Sequence, residues 1–120
     1  MQDKELAKSA AVESAEKWLR LIDENKIGES WNQAALMFRN AVTVEDWESS
    51  VAAAQKFVGR PLSRKLKSKQ YVEELPGAPD GEYVVIEYET SFENKKNGSE
   101  TVTPMLDPDG RWRVAGYFVK

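Results

Sequence analysis

Apolar residues recur every three or four positions through the first half of the chain, and this spacing places them on one face of a helix. The first such face is formed by Ala7, Ala11, Ala15, Trp18 and Ile22. Charged residues fill the other positions, so the segment predicts a long amphipathic helix. Glycine tolerates the left-handed conformation that often ends a helix, and we expect this one to end within residues 25–28.

Two shorter helical patterns follow. Ser30 and Gln33 have the spacing of a capping box, which predicts a second helix with Ser30 as its N-cap. Its apolar stripe would be Trp31, Ala34, Ala35 and Phe38. Thr43 predicts the N-cap of a third helix, because Glu45 and Asp46 follow it and favour the positive end of the helix dipole. The third stripe would be Trp47, Val51, Ala54 and Val58.

Beyond Pro61 the pattern changes to the alternation typical of strands. We predict strands over residues 63–75, 82–93, 101–106 and 111–119. The inward residues would be Val84, Ile86, Tyr88 and Phe92 in the second strand and Trp112, Val114 and Phe118 in the last. Pro104 marks an edge strand or a bulge. Short connections predict a meander, so residues 1–120 would form one α+β domain with three helices on a four-stranded antiparallel sheet.

Composition removes several classes of function. The chain of 120 residues has no Cys and no His, so a thiol nucleophile, a Ser-His-Asp triad and a His-ligated zinc site are excluded. We expect no metal and no cofactor. The net charge of -3 gives no reason to expect a nucleic-acid partner. No stretch approaches the roughly 18 apolar residues that span a membrane, and residues 1–10 lack the apolar core of a signal peptide.

The aromatic residues are the main candidates for a binding site. Those on predicted inward faces either pack the core or line a cavity for a small, partly apolar ligand, and both roles can coexist. The candidates are Trp18, Trp31, Tyr71, Tyr88 and Trp112. Arg60 lies where the last helix meets the first strand. Its guanidinium would suit an anionic ligand at the mouth of such a cavity, or would simply be solvated.

The opposite face of the sheet offers a second kind of surface. By alternation, Tyr83, Val85, Tyr117 and Val119 would form an apolar patch there, and such a patch favours a homodimer or another protein partner. Glu87 shares this face and is expected to be solvated. The first strand carries Arg64, Lys65, Lys67 and Lys69, a basic and largely exposed set that discourages aggregation at an edge.

Several segments resemble one bacterial family. The stretches LPGAPDGEYVV and GRWRVAGYF are the most specific, and AEKWLRLIDENKIGESWNQAALMFRNAV also fits. Together they closely resemble the family catalogued as domain of unknown function 4019. The resemblance implies a nuclear-transport-factor-2-like, cystatin-like cone in which helices line a curved antiparallel sheet. Relatives often carry export signals, which implies a periplasmic or exported location, with a cytoplasmic one left open. It supplies no catalytic residues.

Three hypotheses follow for the function. The leading one is a non-catalytic binding domain of the bacterial envelope that takes a small ligand or a protein partner. The second is a lyase or isomerase of the ketosteroid-isomerase type, which needs a buried carboxylate and a Tyr in one cavity. The inward face of the second strand carries no acid, and this weighs against catalysis. The third is a structural module that dimerises through the outer sheet face.

Overall fold

The computed structural model describes residues 3–120. In chain order the elements are α1 (Lys4–Asp23), α2 (Ile27–Asn32), α3 (Leu36–Ala41), α4 (Val44–Val58), β1 (Pro61–Val72), β2 (Tyr83–Phe92), β3 (Lys95–Leu106) and β4 (Trp112–Val119). The strands form one antiparallel sheet in the order β1-β2-β3-β4. This confirms the predicted α+β class and the meander. None of the helices within residues 3–120 is long and apolar enough to cross a membrane.

Helix α1 lies across the sheet and contacts all four strands. Asp3 caps it, since its side chain accepts a hydrogen bond from the Glu5 N–H at 2.8 Å. The predicted apolar face is buried as expected. Three of its members are alanines, whose short side chains let the helix backbone approach the sheet closely. Trp18 and Ile22 supply bulk towards the C-terminal end.

The prediction of a single second helix starting at Ser30 was wrong. Residues 27–41 form two short helices, α2 and α3, and Ser30 lies inside the first of them. Its hydroxyl donates to the Ile27 carbonyl at 2.5 Å and accepts from Trp47 Nε1 at 2.9 Å, so it serves the core rather than a helix end. At the break, the Ala35 N–H donates to the Val114 carbonyl at 2.7 Å, which ties the connection to β4. The predicted N-cap at Thr43 is confirmed by its bond from the Asp46 N–H at 3.1 Å.

Strand β3 starts six residues earlier than the predicted residue 101, at Lys95. Gly98 and Glu100 therefore belong to the strand, and both are buried on the same face as Val102. A side chain at Gly98 would collide with the Phe92 ring, because a Cβ there would lie 2.7 Å from the ring. The glycine thus lets the β2–β3 hairpin close tightly over Phe92.

A bulge in β4 changes which of its residues face inward. Thr103 pairs with Gly116 and Pro104 pairs with Val114, so Ala115 has no partner on β3. Alternation restarts one residue later, and Tyr117 turns into the core while Phe118 is 54% exposed. The prediction that Phe118 faces inward and Tyr117 outward was therefore wrong. Pro104 marks this bulge, as one of the two alternatives proposed, but it lies in an interior strand and not at an edge.

The core between the helices and the sheet centres on a group of aromatic rings. Trp47 contacts Trp18 at 5.7 Å and Phe38 at 5.0 Å between ring centroids, and Trp18 contacts Tyr117 at 5.4 Å. Trp18 Nε1 donates to the Ser30 carbonyl at 2.9 Å, so its buried polar atom is satisfied. Helix α4 packs on α2. Between α4 and the sheet there is open space, which forms the candidate site.

Candidate functional site

A cavity of about 360 Å³ lies between α4, the end of α1 and one end of the sheet. It lies where β1 begins and where β2 and β4 end. Its apolar lining residues are Ile22, Val51, Ala54, Val58, Pro61, Phe92 and Val119. Small-molecule sites commonly occupy roughly 300–1,000 Å³ and are lined mainly by apolar side chains with a few polar groups. The cavity therefore has the size of a site for a small ligand, and its lining combines these apolar residues with a comparable number of polar ones.

A polar row crosses the sheet beneath this cavity, with one residue from each strand. Arg64 comes from β1, Thr90 from β2, Glu100 from β3 and Tyr117 from β4. Glu100 is the centre of the row and is only 1% exposed. Arg64, Glu100 and Tyr117 also line the cavity. We call these four residues the polar row.

The hydrogen bonds between members of the polar row converge on the Glu100 carboxylate. Its Oε1 accepts from Arg64 Nε at 2.7 Å and from the Thr90 hydroxyl at 2.6 Å. Its Oε2 accepts from Arg64 Nη2 at 3.2 Å and from the Tyr117 hydroxyl. A carboxylate has about four lone-pair sites, so these bonds use all of them. Glu100 is thus a fully satisfied buried ion and not a free acid in the cavity.

The charges of the row are balanced through Arg64. Its guanidinium also donates to Asp23 at 2.8 and 3.1 Å, which joins the last residue of α1 to β1. Burial alone would lower the pKa of Arg64, but the hydrogen bonds to Asp23 and Glu100 raise it above its ordinary value. Burial, together with the neighbouring Glu100 charge, raises the pKa of Tyr117. Tyr117 therefore stays protonated at neutral pH and donates its only hydroxyl hydrogen to Glu100.

Arg60 lies at the mouth of the cavity on a tightly constrained backbone. Its N–H donates to Glu93 Oε1 at 2.7 Å, and its carbonyl accepts from the Glu93 N–H at 2.9 Å. The preceding Gly59 has a φ of 81°, and a Cβ there would lie 2.8 Å from the Glu93 Cβ. Only glycine fits this turn without strain. The Arg60 side chain is exposed, and it forms no salt bridge with a carboxylate in residues 3–120.

The other predicted site residues lie elsewhere. Of the six, Arg60 alone is among the described residues that line this cavity. Trp18 and Trp112 border a shallow groove between α1 and the β3–β4 turn. Trp31 Nε1 donates to the Val42 carbonyl at 2.7 Å. The Tyr71 hydroxyl donates to Glu82 at 2.9 Å and borders a separate surface depression. The structure therefore does not bring these aromatic residues into one pocket.

Tyr88 faces inward, as predicted, and is 2% exposed. Its hydroxyl has no hydrogen-bond partner among the described residues. Burial, followed by the Glu16 charge, raises the pKa of Tyr88 to about 12. The hydroxyl is thus neutral across the physiological range and lies in the core beside the cavity rather than in its lining.

The predicted outer patch does not form as a shared surface. Tyr83 is fully buried, and its hydroxyl donates to the Pro79 carbonyl at 2.6 Å. Tyr117 faces the core, because of the bulge, and Val119 lines the cavity beside it. Tyr83 shares the outer face with Val85 but is covered by the β1–β2 connection, so Val85 is the member of the predicted set that is left partly exposed there. The predicted patch is therefore not one exposed surface, because the bulge turns Tyr117 and Val119 inward and the β1–β2 connection covers Tyr83. Homodimerisation itself stays a prediction.

Sequence reasoning missed Glu100, Arg64 and Tyr117 as residues of the site. The signal for Glu100 was present: it lies two positions before Val102 and therefore shares its face if the strand extends that far. Arg64 has exposed lysine neighbours that give it no separate signal, and its pairing with β2 is what places it opposite Thr90. Tyr117 carried no such signal, since its inward position depends on the bulge.

These features define an α+β domain whose helices cover one face of an antiparallel meander and leave a cavity at one end. The chain belongs to the family described as Protein of unknown function (DUF4019), whose model matches residues 14–117. This confirms the family that its segments resemble. No curated protein matches the chain. No solved structure matches it either.

Proposed function

We propose that this domain binds a small, partly apolar molecule in the cavity between α4 and the sheet and does not transform it. The observation that carries the proposal is the cavity itself, of about 360 Å³ and with a wall that combines apolar side chains with charged and polar ones. Apolar surface that a ligand removes from water contributes roughly 25 cal/mol per Å². Such a wall therefore favours a ligand with a hydrocarbon part.

The satisfied state of the polar row supports binding over catalysis. A general base needs a free lone pair within reach of the proton that it abstracts. Glu100 has no free lone pair, because Arg64, Thr90 and Tyr117 occupy all of them. The row instead gives the cavity a rigid polar floor. The remaining lone pair of the Tyr117 hydroxyl can accept a hydrogen bond from a bound molecule.

A cavity-filling substitution tests the proposal. Ala54 lines the cavity from α4, whereas its neighbour Ala53 is exposed on the same helix. We expect a neutral solvatochromic naphthalene ketone to shift its emission to the blue with the parent protein and with Ala53→Trp. The shift should be lost with Ala54→Trp, because the indole occupies the space. Equal shifts for both variants, with both folded by circular dichroism, would reject the cavity as the binding site.

A second candidate is a lyase or isomerase of the ketosteroid-isomerase type. The observation in its favour is that a buried carboxylate, Glu100, and a Tyr hydroxyl, that of Tyr117, meet at one cavity. Its test is conversion of a β,γ-unsaturated ketone to the conjugated isomer, followed by absorbance. A rate above buffer that disappears in Tyr117→Phe would favour this candidate over simple binding.

We also propose that the domain acts in the periplasm or outside the cell as a nuclear-transport-factor-2-like binding module. The support is the resemblance of its segments to a family whose members often carry export signals. Fractionation of the native host, with immunodetection of the protein, tests the location. Recovery with cytoplasmic markers alone would reject it.

A further inference from the structure

We infer that the ligand of this cavity carries a carboxylate and that Arg60 binds it at the mouth. This inference rests on the proposed function and names the chemical class of the ligand. Two guanidiniums, those of Arg60 and Arg64, line the cavity, and they differ in what they already bind. That difference identifies the end of the cavity at which an anion would be held.

Arg64 is already committed. Its Nε, Nη1 and Nη2 atoms donate to Glu100 and Asp23, so its charge is balanced by carboxylates of the protein itself. A ligand anion at the floor would have to compete with these bonds, including those to the buried Glu100. The floor therefore suits a neutral group, and it does not suit a second carboxylate.

Arg60 has an exposed side chain without an ion pair in the described residues, on a backbone that is held in place. Its side chain makes no salt bridge in the described part of the chain. Its backbone is bonded on both sides to Glu93, and the Asn94 N–H donates to the Val58 carbonyl at 2.9 Å. These bonds clamp the α4–β1 junction to the β2–β3 hairpin. The planar fork of Arg matches a carboxylate with two parallel hydrogen bonds, and a fixed backbone reduces the entropy lost on binding.

Glu93 provides a second test of the inference, because it lines the mouth of the cavity together with Arg60. Its Oε1 accepts the Arg60 N–H, so it holds the backbone while placing a negative charge close to the bound anion. Glutamine can keep the accepting oxygen without the charge. Glu93→Gln should therefore strengthen carboxylate binding, whereas removal of the Arg60 charge should weaken it.

The experiment uses matched pairs of probes. Butanoate, hexanoate and octanoate, each beside the alcohol of equal chain length, displace the neutral naphthalene dye from the parent protein and its variants. We expect Arg60→Gln to weaken the carboxylates by about tenfold, the scale of a charge-assisted hydrogen bond, and to leave the alcohols unchanged. Glu93→Gln should tighten the carboxylates by about twofold to threefold, the scale of a partly exposed charge pair. The control is Arg20→Gln, which removes the same charge from an exposed position on α1.

The outcomes separate the two proposals. If alcohols and carboxylates bind equally well, and Arg60→Gln affects neither, the carboxylate inference fails while the cavity remains a binding site. If Arg20→Gln weakens carboxylate binding as much as Arg60→Gln does, the effect comes from the net charge of the protein and not from contact with Arg60. The inference then also fails. If neither probe nor dye binds the parent protein, the proposed function itself is rejected.

Discussion

The inner face of the sheet has two regions with different interiors. In the middle of the face the buried side chains are apolar and lie under α1; they are Val84, Ile86, Val102 and Val114. Towards the end of the same face the polar row replaces them, and Glu100 there is only 1% exposed. Alternation along a strand therefore tells which face a residue occupies, but not whether that part of the face is dry core or the floor of a cavity.

The two regions also tolerate change differently. Apolar packing is non-directional, so the loss of a methyl group removes a few contacts and leaves the rest in place. The polar row depends on complete pairing, since a buried charge without its partner keeps its desolvation cost. Substitutions in the middle of the face should thus lower the free energy of unfolding by small steps. A single substitution in the row should lower it by a large amount.

The largest expected effect comes from removing the centre of the row. Glu100→Gln leaves the Arg64 guanidinium without its buried carboxylate partner and with only the exposed Asp23. Breaking one side of a buried ion pair costs about 3–5 kcal/mol. Urea denaturation followed by tryptophan fluorescence measures the loss in the free energy of unfolding.

An apolar replacement of the whole row is the matched control. In the combined variant Arg64→Met, Thr90→Val, Glu100→Leu and Tyr117→Phe, no buried polar group loses its partner. It should recover at least half of the loss caused by Glu100→Gln, because well-packed apolar residues can replace a buried ion pair without net cost. If the combined variant is less stable than Glu100→Gln alone, the polar row stabilises the fold by more than the mutual pairing of its polar groups accounts for.

The next effect concerns the hairpin that borders the cavity. Gly98→Ala places a Cβ 2.7 Å from the Phe92 ring and 3.0 Å from the Thr90 carbonyl oxygen. Forced overpacking of this kind costs about 1–3 kcal/mol. Gly116→Ala is the control in another strand, since its nearest atom, the Thr103 Cβ, is 3.9 Å away. Thermal unfolding should show a lower Tm for the first variant and little change for the second; equal values would contradict the close approach.

A smaller effect appears at alkaline pH. The pKa of Tyr117 is raised above its ordinary value of 10.0, first by burial and then by Glu100. A group with a raised pKa in the folded state stabilises the fold fully below its unfolded pKa, and the contribution is lost as pH rises beyond it. The free energy of unfolding should therefore decrease as pH rises above about 10. Tyr117→Phe should show a shallower decrease, because it removes one tyrosine with a raised pKa. An identical slope would contradict the raised pKa of Tyr117.

The smallest effect is expected at the exposed β3–β4 turn. Hydrogen bonds from Arg113 and from the Arg111 N–H lower the pKa of Asp109 from 3.8 to about 2. Its stabilising contribution is therefore present above its unfolded pKa and is lost as pH falls through about 2. The difference in unfolding free energy between the parent and Asp109→Asn should shrink between pH 4 and pH 2. A constant difference over this range would show that the Arg113 pairing has no net effect at this exposed position.

Several elements could be predicted because a local pattern determines them. Val84, Ile86, Tyr88 and Phe92 alternate along an unbroken strand, and the structure buries all of them. Thr43 caps its helix through a bond to a residue three positions away. Ser30 has the same kind of local signal and was assigned wrongly, because its hydroxyl binds Trp47, which is distant in sequence. A local capping pattern does not predict a hydrogen-bond partner that is brought close only by the tertiary structure.

Among the described residues, Arg60 is the predicted site residue that lines the candidate cavity. Its position at the α4–β1 junction follows from the order of the elements, and the structure places it in the cavity lining. The five aromatic candidates follow from the frequency of aromatic rings in pockets, but rings such as Trp18 are just as suited to the core. The polar row required knowing where β3 begins and where β4 breaks its alternation. Both depend on pairing between strands, which a single strand does not encode.

The unpaired Ala115 also bears on how relatives of this chain should be compared. It gives β4 one residue more than its pairing with β3 requires. A relative with a one-residue gap at this position would lose the bulge but keep Val114 and Tyr117 on the same face. The gap would therefore leave the inward-facing side chains of β4 unchanged. The same gap at Phe118 would move Val119 from the cavity wall to the opposite side. Gap placement within these few residues therefore distinguishes relatives that share this cavity from relatives that share only the fold.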